Sequence, residues 1–264
     1  MYKENKSIKP KATGATAVHN KFKFVKNNEK VILPWETSEE FYDLHAKKIL
    51  SNKSFYHVSM IGNSNEEFME YIIKKAGIFK NAKVLGLGCG SGYLVNYLSK
   101  YCDALGISNS IECVRQAKKN FPDADFQLGN MENFRSREPL THCLSLESSG
   151  YADIEKTLKN TYSNLRTGGV FYLKDLFLKK DESKEEKENR IHWENYWKFK
   201  LVPMERISDL AQRTGFEVLE SNDLTGKVNG NFFSETLKLN LVKYTPLNPH
   251  MDFIRYGEFL LVKK

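Results

Sequence analysis

"KVLGLGCGSGYLVNYL", residues 83–98, is the stretch on which the fold turns. Lys83–Leu87 is a short apolar run of strand character, glycines follow at 86, 88, 90 and 92, and Leu94 and Leu98 then recur on one side of a helix. Glycines let the backbone approach a ligand closely, and the N–H groups at the start of the following helix sit at its positive end. The turn alone also fits a dinucleotide binder, which wants an acid at the end of the second strand to grip ribose hydroxyls. Here the second strand ends "GISNS" (106–110), with only neutral Ser108, Asn109 and Ser110.

On the C-terminal side a strict alternation continues. "DALGIS" (103–108) reads as a strand and "SIECVRQAKKNF" (110–121) as a helix capped by Ser110. "DFQLG" (125–129) and "THCLSLE" (141–147) read as strands. "DIEKTLKNTYSNL" (153–165) is a helix with Ile154, Leu158, Tyr162 and Leu165 on one face. "RTGG" (166–169) closes that helix as a glycine C-cap would, and "VFYLKDLF" (170–177) is the fifth strand. "PMERISDLAQRTGFEVLES" (203–221) gives helix, glycine stop and strand, and "GEFLLVKK" (257–264) a last strand. Strands alternating with helices specify an α/β fold. We expect a Rossmann-like, doubly wound, mostly parallel sheet with a final antiparallel strand.

Before the sheet, "PWETSEEFYDLHAKKIL" (34–50) turns helical, with Phe41, Leu44, His45 and Ile49 on one face. "NEEFMEYIIKKAGI" (65–78) is a second amphipathic helix, with Phe68, Ile72 and Ile73 inward and a stop at Gly77. Residues 1–35 show little apolar periodicity. The division is therefore a loose N-terminal arm (1–35), a helical cap (36–80) and the sheet domain (81–264), with a lid-like insertion around 178–203. Within that insertion "KKDESKEEKENR" (179–190) reads as a solvated helix face with i,i+4 charge pairs.

Of the 264 residues 41% are hydrophobic, enough for a buried core rather than a disordered chain. No apolar run reaches the roughly 18 residues of a membrane span, and the N-terminus lacks the apolar stretch of a signal peptide. The four cysteines have no C-x-x-C spacing, so no metal is expected, and free thiols suit a reducing cytoplasm. The net charge of +7 comes from scattered lysines, many beside acids, which points to solubility more than to nucleic acid.

The order "VLGLGCGSG … GISNS … GNMENF … LESSGY … LRTGGVFYLKD … RTGFEVLES" resembles class I S-adenosylmethionine-dependent methyltransferases over residues 60–264. The resemblance implies that the turn Gly88, Cys89, Gly90, Ser91 and Gly92 cradles the methionine part of the cofactor. It puts the ribose at Ser108, Asn109 and Ser110, the adenine at Asn130, Met131 and Glu132, and Leu146 between cofactor and substrate. Three positions depart from the family pattern. Gly86 replaces an acid before the turn, Asn109 stands near the usual ribose-binding acid, and Asn130 replaces an adenine-binding aspartate. "GISNS" is nevertheless similar to the branch of cyclopropane synthases, terpenoid C-methyltransferases and plant alkaloid N-methyltransferases. Hydroxyl and amide groups can still serve ribose and adenine, so the cofactor is expected to be retained.

Methyl transfer needs in-line placement and exclusion of water rather than elaborate acid–base chemistry. The chain has no N-P-P-Y-like tetrapeptide after the fourth strand, which speaks against adenine methylation; its Asn248-Pro249 lies far downstream. "LESSGYAD" (146–153) resembles geranyl diphosphate C-methyltransferases, which implies Glu147 and Tyr151 as catalytic. A carboxylate and aromatic faces suit a carbocation, and a base then removes its proton. Tyr42, Tyr56, His57, Trp193 and Trp197 are candidates to line the substrate pocket, and Asp175 is a polar candidate without a role. No aspartate-rich diphosphate motif is present. The expected partner is a small-molecule methyl acceptor, taken at carbon or nitrogen. The alternatives are a catalytically silent cofactor binder and a nucleic-acid methyltransferase.

Overall fold

The computed structural model describes residues 36–50, 61–228 and 252–264, with the backbone alone for 44–49. The expected arm (1–35) and the candidates Tyr56 and His57 lie outside the described residues. The helices before the sheet are α1 (Ser38–Ile49) and α2 (Asn65–Ala76). The alternation then runs β1 (Lys83–Leu87), α3 (Tyr93–Leu98), β2 (Asp103–Ser108), α4 (Ile111–Asn120), β3 (Asp125–Leu128), β4 (Leu140–Leu146), α5 (Ile154–Asn164) and β5 (Leu165–Leu178). It closes with α6 (Lys184–Trp197), α7 (Met204–Thr214), β6 (Phe216–Asp223) and β7 (Ile254–Lys263).

The seven strands form one sheet in the order β3-β2-β1-β4-β5-β7-β6. β1 to β5 pair in parallel, and β7 runs antiparallel between β5 and β6. The Rossmann-like expectation and its antiparallel last strand hold. Because the parallel strands are covered on both sides, alternate residues feed two cores. Val84, Leu144 and Tyr172 meet Phe68, Met69 and Ile72 of α2 and Val95 of α3 on one face. Leu85, Cys143, Phe171 and Leu173 meet Leu158 of α5 and Ile207 of α7 on the other.

The helix ends follow their sequence signals. Ser64 caps α2 and Gly77, in the left-handed region at φ 65°, ends it. Ser110 caps α4 by accepting from Cys113 N at 3.1 Å. One expectation fails. "RTGG" does not cap α5, which already closes at Asn164, where Leu165 turns extended. Gly168, at φ 72°, instead sits inside β5 where its register against β4 shifts. A side chain at Gly169 would come within 2.8 Å of the Arg166 carbonyl, so these glycines serve an irregular strand rather than a helix stop.

The sheet order reverses between β1 and β4, since β1 leads to β2 on one side and the chain returns to β4 on the other. Ligands of open α/β sheets bind at that switch point, outside the carboxyl ends of the strands. Among the described residues, no helix is long and apolar enough to cross a membrane.

Candidate active site

The turn after β1 is anchored to β2, because the amides of Gly88 and Cys89 both donate to the Ile107 carbonyl at 2.9 Å. Gly88, Gly90 and Gly92 all have positive φ (75°, 50° and 89°), a region that costs other residues. Their surroundings differ. A Cβ on Gly88 would come within 2.5 Å of Ser148 Cβ, and one on Gly92 within 2.8 Å of Phe126 Cζ. At Gly90 nothing stands within 4 Å. Gly88 and Gly92 are thus glycines because protein occupies the space, whereas Gly90 faces an open cradle. Cys89 and Ser91 are buried, and Asn120 Nδ2 donates to the Ser91 carbonyl at 2.9 Å. Burial pushes the Cys89 thiol up to about 12, so it stays protonated. A Cβ at Gly86 would meet Val95 Cγ2 at 3.4 Å and Leu94 Cδ2 at 3.7 Å, so an acid there would emerge against apolar helix side chains.

At the end of β2, Ser108 and Ser110 are buried, while Asn109 is exposed. After β3, the Asn130 side-chain oxygen accepts from Glu132 N at 2.8 Å and holds the loop. Met131 packs onto the core beneath. The Glu132 carboxylate turns toward α5, accepting from Asp153 N at 2.8 Å. Leu146 is buried at the end of β4.

Glu147 follows at φ 50°, the left-handed region, a position a carboxylate residue adopts only when its surroundings enforce it. The backbone does so, since Glu147 N donates to the Lys174 carbonyl at 2.9 Å. Each of the next residues is held separately. Ser148 Oγ bonds the Leu87 carbonyl at 2.7 Å, beside the cradle. Asp175 Oδ2 accepts from Ser149 N at 2.9 Å and Ser149 Oγ at 2.6 Å. The Gly150 carbonyl accepts from Lys200 N at 2.8 Å, with the Phe199 ring against Gly150 itself. The turn Ser149–Tyr151 is therefore pinned between the glycine turn and an aromatic cluster.

That cluster joins elements far apart in sequence. The hydroxyls of Tyr42 (α1) and Tyr151 lie 2.8 Å apart, with ring centroids at 5.3 Å. Phe199 meets Tyr151 edge-on at 4.8 Å, and Trp193 meets Phe199 at 5.8 Å. Trp197 meets Phe41 of α1 at 5.5 Å. Of the substrate candidates, the structure thus brings Tyr42, Trp193 and Trp197 together with Tyr151. Trp193 lies innermost, in a further buried cluster, separate from the two sheet cores, with Phe253 and Tyr256.

Burial dominates the electrostatics. It raises the Tyr42 and Tyr151 hydroxyls well above the ordinary range, keeping both neutral. It lifts the Asp175 carboxyl to about 7 against the bonds from Ser149 and Leu176, and lowers Lys174 to about 8. The charge of Glu147 reaches Tyr42, Tyr151, Lys174 and Asp175, so these groups gather around the end of β4 and the β5 residues beside it. Phe41, Phe199, Ser148 and Ser149 were not singled out by sequence. The only cue for Phe199 was its place beside Trp197 in "HWENYWKF". Among the described residues, no cluster of His, Cys, Asp or Glu could hold a metal ion.

Residues 84–169 match the family model described as "Methyltransferase domain". The chain is 24% identical over 220 residues to sterol 24-C-methyltransferase of Kluyveromyces lactis, covering 75% of this chain and 57% of that protein. It is 32% identical over 114 residues to carboxy-S-adenosyl-L-methionine synthase of Staphylococcus epidermidis, covering 39% of this chain and 50% of that protein. It spans about half the length of the curated relatives it matches. Among solved structures, geranyl diphosphate C-methyltransferase of Streptomyces coelicolor, with Mg2+, geranyl diphosphate and S-adenosyl-L-homocysteine bound, superposes with a TM-score of 0.70 at 12% identity, covering 88% of this chain and 100% of that one. The cyclopropane synthase MmaA2 of Mycobacterium tuberculosis gives 0.61 at 13% identity, covering 83% and 98%. Residues 84–169 thus match a methyltransferase domain, and the chain has the Rossmann-like fold of these solved methyltransferases.

Proposed function

We propose that the protein transfers a methyl group from S-adenosylmethionine to a small-molecule acceptor, at carbon or nitrogen. The observation that carries this is the open space at Gly90, in a turn whose neighbouring Gly88 packs directly against Ser148 of the pinned Glu147–Tyr151 turn. The cofactor, when bound, supplies an electrophilic methyl on a sulfonium. Gly88, Cys89, Gly90, Ser91 and Gly92 would hold its methionine portion. Ser108, Asn109 and Ser110 would meet the ribose. Asn130, Met131 and Glu132 would border the adenine, where exposed Ile111 and Leu128 add apolar surface, and Leu146 would lie between cofactor and acceptor.

The chain's own residues then handle the acceptor. The edges and faces of Phe41, Tyr42, Tyr151, Trp197 and Phe199 exclude water and favour an electron-poor or cationic centre. Glu147 supplies the negative charge such a centre needs and takes the proton that leaves after carbon methylation. The Tyr42–Tyr151 hydroxyl pair, neutral and mutually bonded, fixes the wall facing Glu147. The wall around Glu147 is aromatic, and its one basic side chain among the described residues, Lys174, is fully buried, which favours a small molecule over nucleic acid. Four free thiols fit a reducing cytoplasm.

The test is calorimetry with S-adenosylmethionine and S-adenosylhomocysteine, followed by incubation of labelled cofactor with a small-metabolite extract. Binding of both and a labelled product are expected. Glu147→Gln should keep S-adenosylhomocysteine binding and lose at least about 100-fold in turnover. Cofactor binding with no product would make the protein a silent binder, and no binding would end the assignment.

A further inference from the structure

The end of β2 carries Asn109 where a carboxylate would grip the ribose, yet carboxylates do reach this edge, from another element. Glu39 and Asp43 of α1 lie four residues apart on one helix face, turned toward β2 and α4. Glu39 Oε1 accepts from Asn109 Nδ2 at 2.8 Å. Asp43 Oδ1 accepts from Ser110 Oγ at 2.5 Å and from Glu112 N at 3.4 Å. The two acids differ in what else holds them. Asp43 is tied twice, to a buried hydroxyl and a helix amide, which is a docking contact. Among the described residues, Glu39 makes a single bond, to the exposed Asn109, through one oxygen.

Nor is Glu39 needed to start its own helix. The neighbouring Glu40 does that, accepting from Thr37 N at 3.4 Å and Glu36 N at 2.6 Å, while Thr37 Oγ1 accepts from Glu40 N at 3.2 Å.

Resting on the cofactor reading above, we propose that Glu39 is the ribose-binding carboxylate of this protein, supplied by α1 instead of β2. Asp43 is the positioning residue that holds the helix there. A vicinal diol offers two O–H donors, and an ionised carboxylate accepts both. The Asn109 amide, donating to Oε1, orients the carboxylate and leaves Oε2 at the carboxyl edge of the sheet. The acid missing from "GISNS" has moved to "SEEFYD".

The experiment is calorimetry with S-adenosylhomocysteine and with its 2′-deoxy and 3′-deoxy ribose analogues. Wild type should bind the parent compound about ten-fold or more tighter than the analogues, the scale of a charge-assisted hydrogen bond. Glu39→Gln should bind S-adenosylhomocysteine about ten-fold more weakly and lose the discrimination, with an unchanged melting temperature because its bond is exposed. Adding Asn109→Asp to Glu39→Gln should restore both, by returning the acid to the strand. Full discrimination in Glu39→Gln would overturn this assignment alone. Wild-type protein that binds no S-adenosylhomocysteine would overturn it together with the cofactor reading.

Discussion

Gly88, Gly90 and Gly92 look equivalent in the sequence and are not equivalent in space. All three pay the left-handed cost on substitution, about 1–2 kcal/mol for a residue with a Cβ. Alanine at 88 or 92 adds overpacking of roughly 1–3 kcal/mol, against Ser148 or against Phe126. Gly90→Ala meets no protein atom and places its methyl in the cradle. Gly90→Ala should therefore melt closest to wild type while losing S-adenosylhomocysteine binding, whereas Gly88→Ala and Gly92→Ala should melt several degrees lower. Thermal denaturation beside calorimetry separates the two behaviours. The sequence showed that a glycine turn was there, but it could not show which glycine faces ligand, because Ser148 and Phe126 arrive from 34 to 60 residues away in the chain. Asp175 is a similar case. Its buried carboxyl was legible only as an unassigned polar residue, since its partner Ser149 lies across the β4–β5 crossover.

Local signals sufficed to place most elements. Ser64 with Gly77 around α2, Ser110 before α4 and Gly215 after α7 act within a few residues, so their chemistry is written in the adjacent sequence. The α6 segment pairs its charges, but not at the expected spacing. Arg190 bonds Glu182, eight residues back, at 2.8 Å, and its i,i+4 partner Glu194, at 2.9 Å, lies beyond the 179–190 stretch. A Ser183–Glu186 capping box starts the helix. What failed was "RTGG", where a helix stop and a strand irregularity call for the same residue type. Ser110 has a second role that local reading missed, because its hydroxyl also donates to Asp43 of α1. Ser110→Ala should cost about 1 kcal/mol as a lost N-cap. It should also raise amide hydrogen exchange in residues 38–49, an element in which it does not lie. Exchange raised only in α4 would show that the tether does not hold α1.

At the scale of the whole molecule, His142 and Asp175 are buried groups of the described residues that titrate in opposite senses. Burial lowers His142 from the ordinary 6.5 to about 4. The unfolded chain therefore holds that proton more tightly between those values, and stability rises with pH there. Asp175 is raised from 3.8 to about 7, so the folded chain holds its proton more tightly and stability falls as pH climbs from about 4 to about 7. The two nearly offset up to pH 6.5. Asp175→Asn leaves the histidine term alone, so its urea-denaturation stability should climb across pH 4–6.5 more steeply than that of wild type. Equal slopes would mean that Asp175 does not titrate as its burial requires.

One helix stands at three of these places at once. α1 carries Glu39 and Asp43 at the end of β2, and Tyr42, bonded to Tyr151 beside Glu147. Just past its end, the Leu50 carbonyl shares the Asn120 amide with the Ser91 carbonyl of the glycine turn. A ligand on either side therefore favours the same docked helix. Thermodynamic reciprocity then fixes the outcome: whatever factor the nucleoside adds to acceptor affinity, the acceptor must return to the nucleoside. The two substrates are expected to bind with positive cooperativity, and either one should slow the departure of the other.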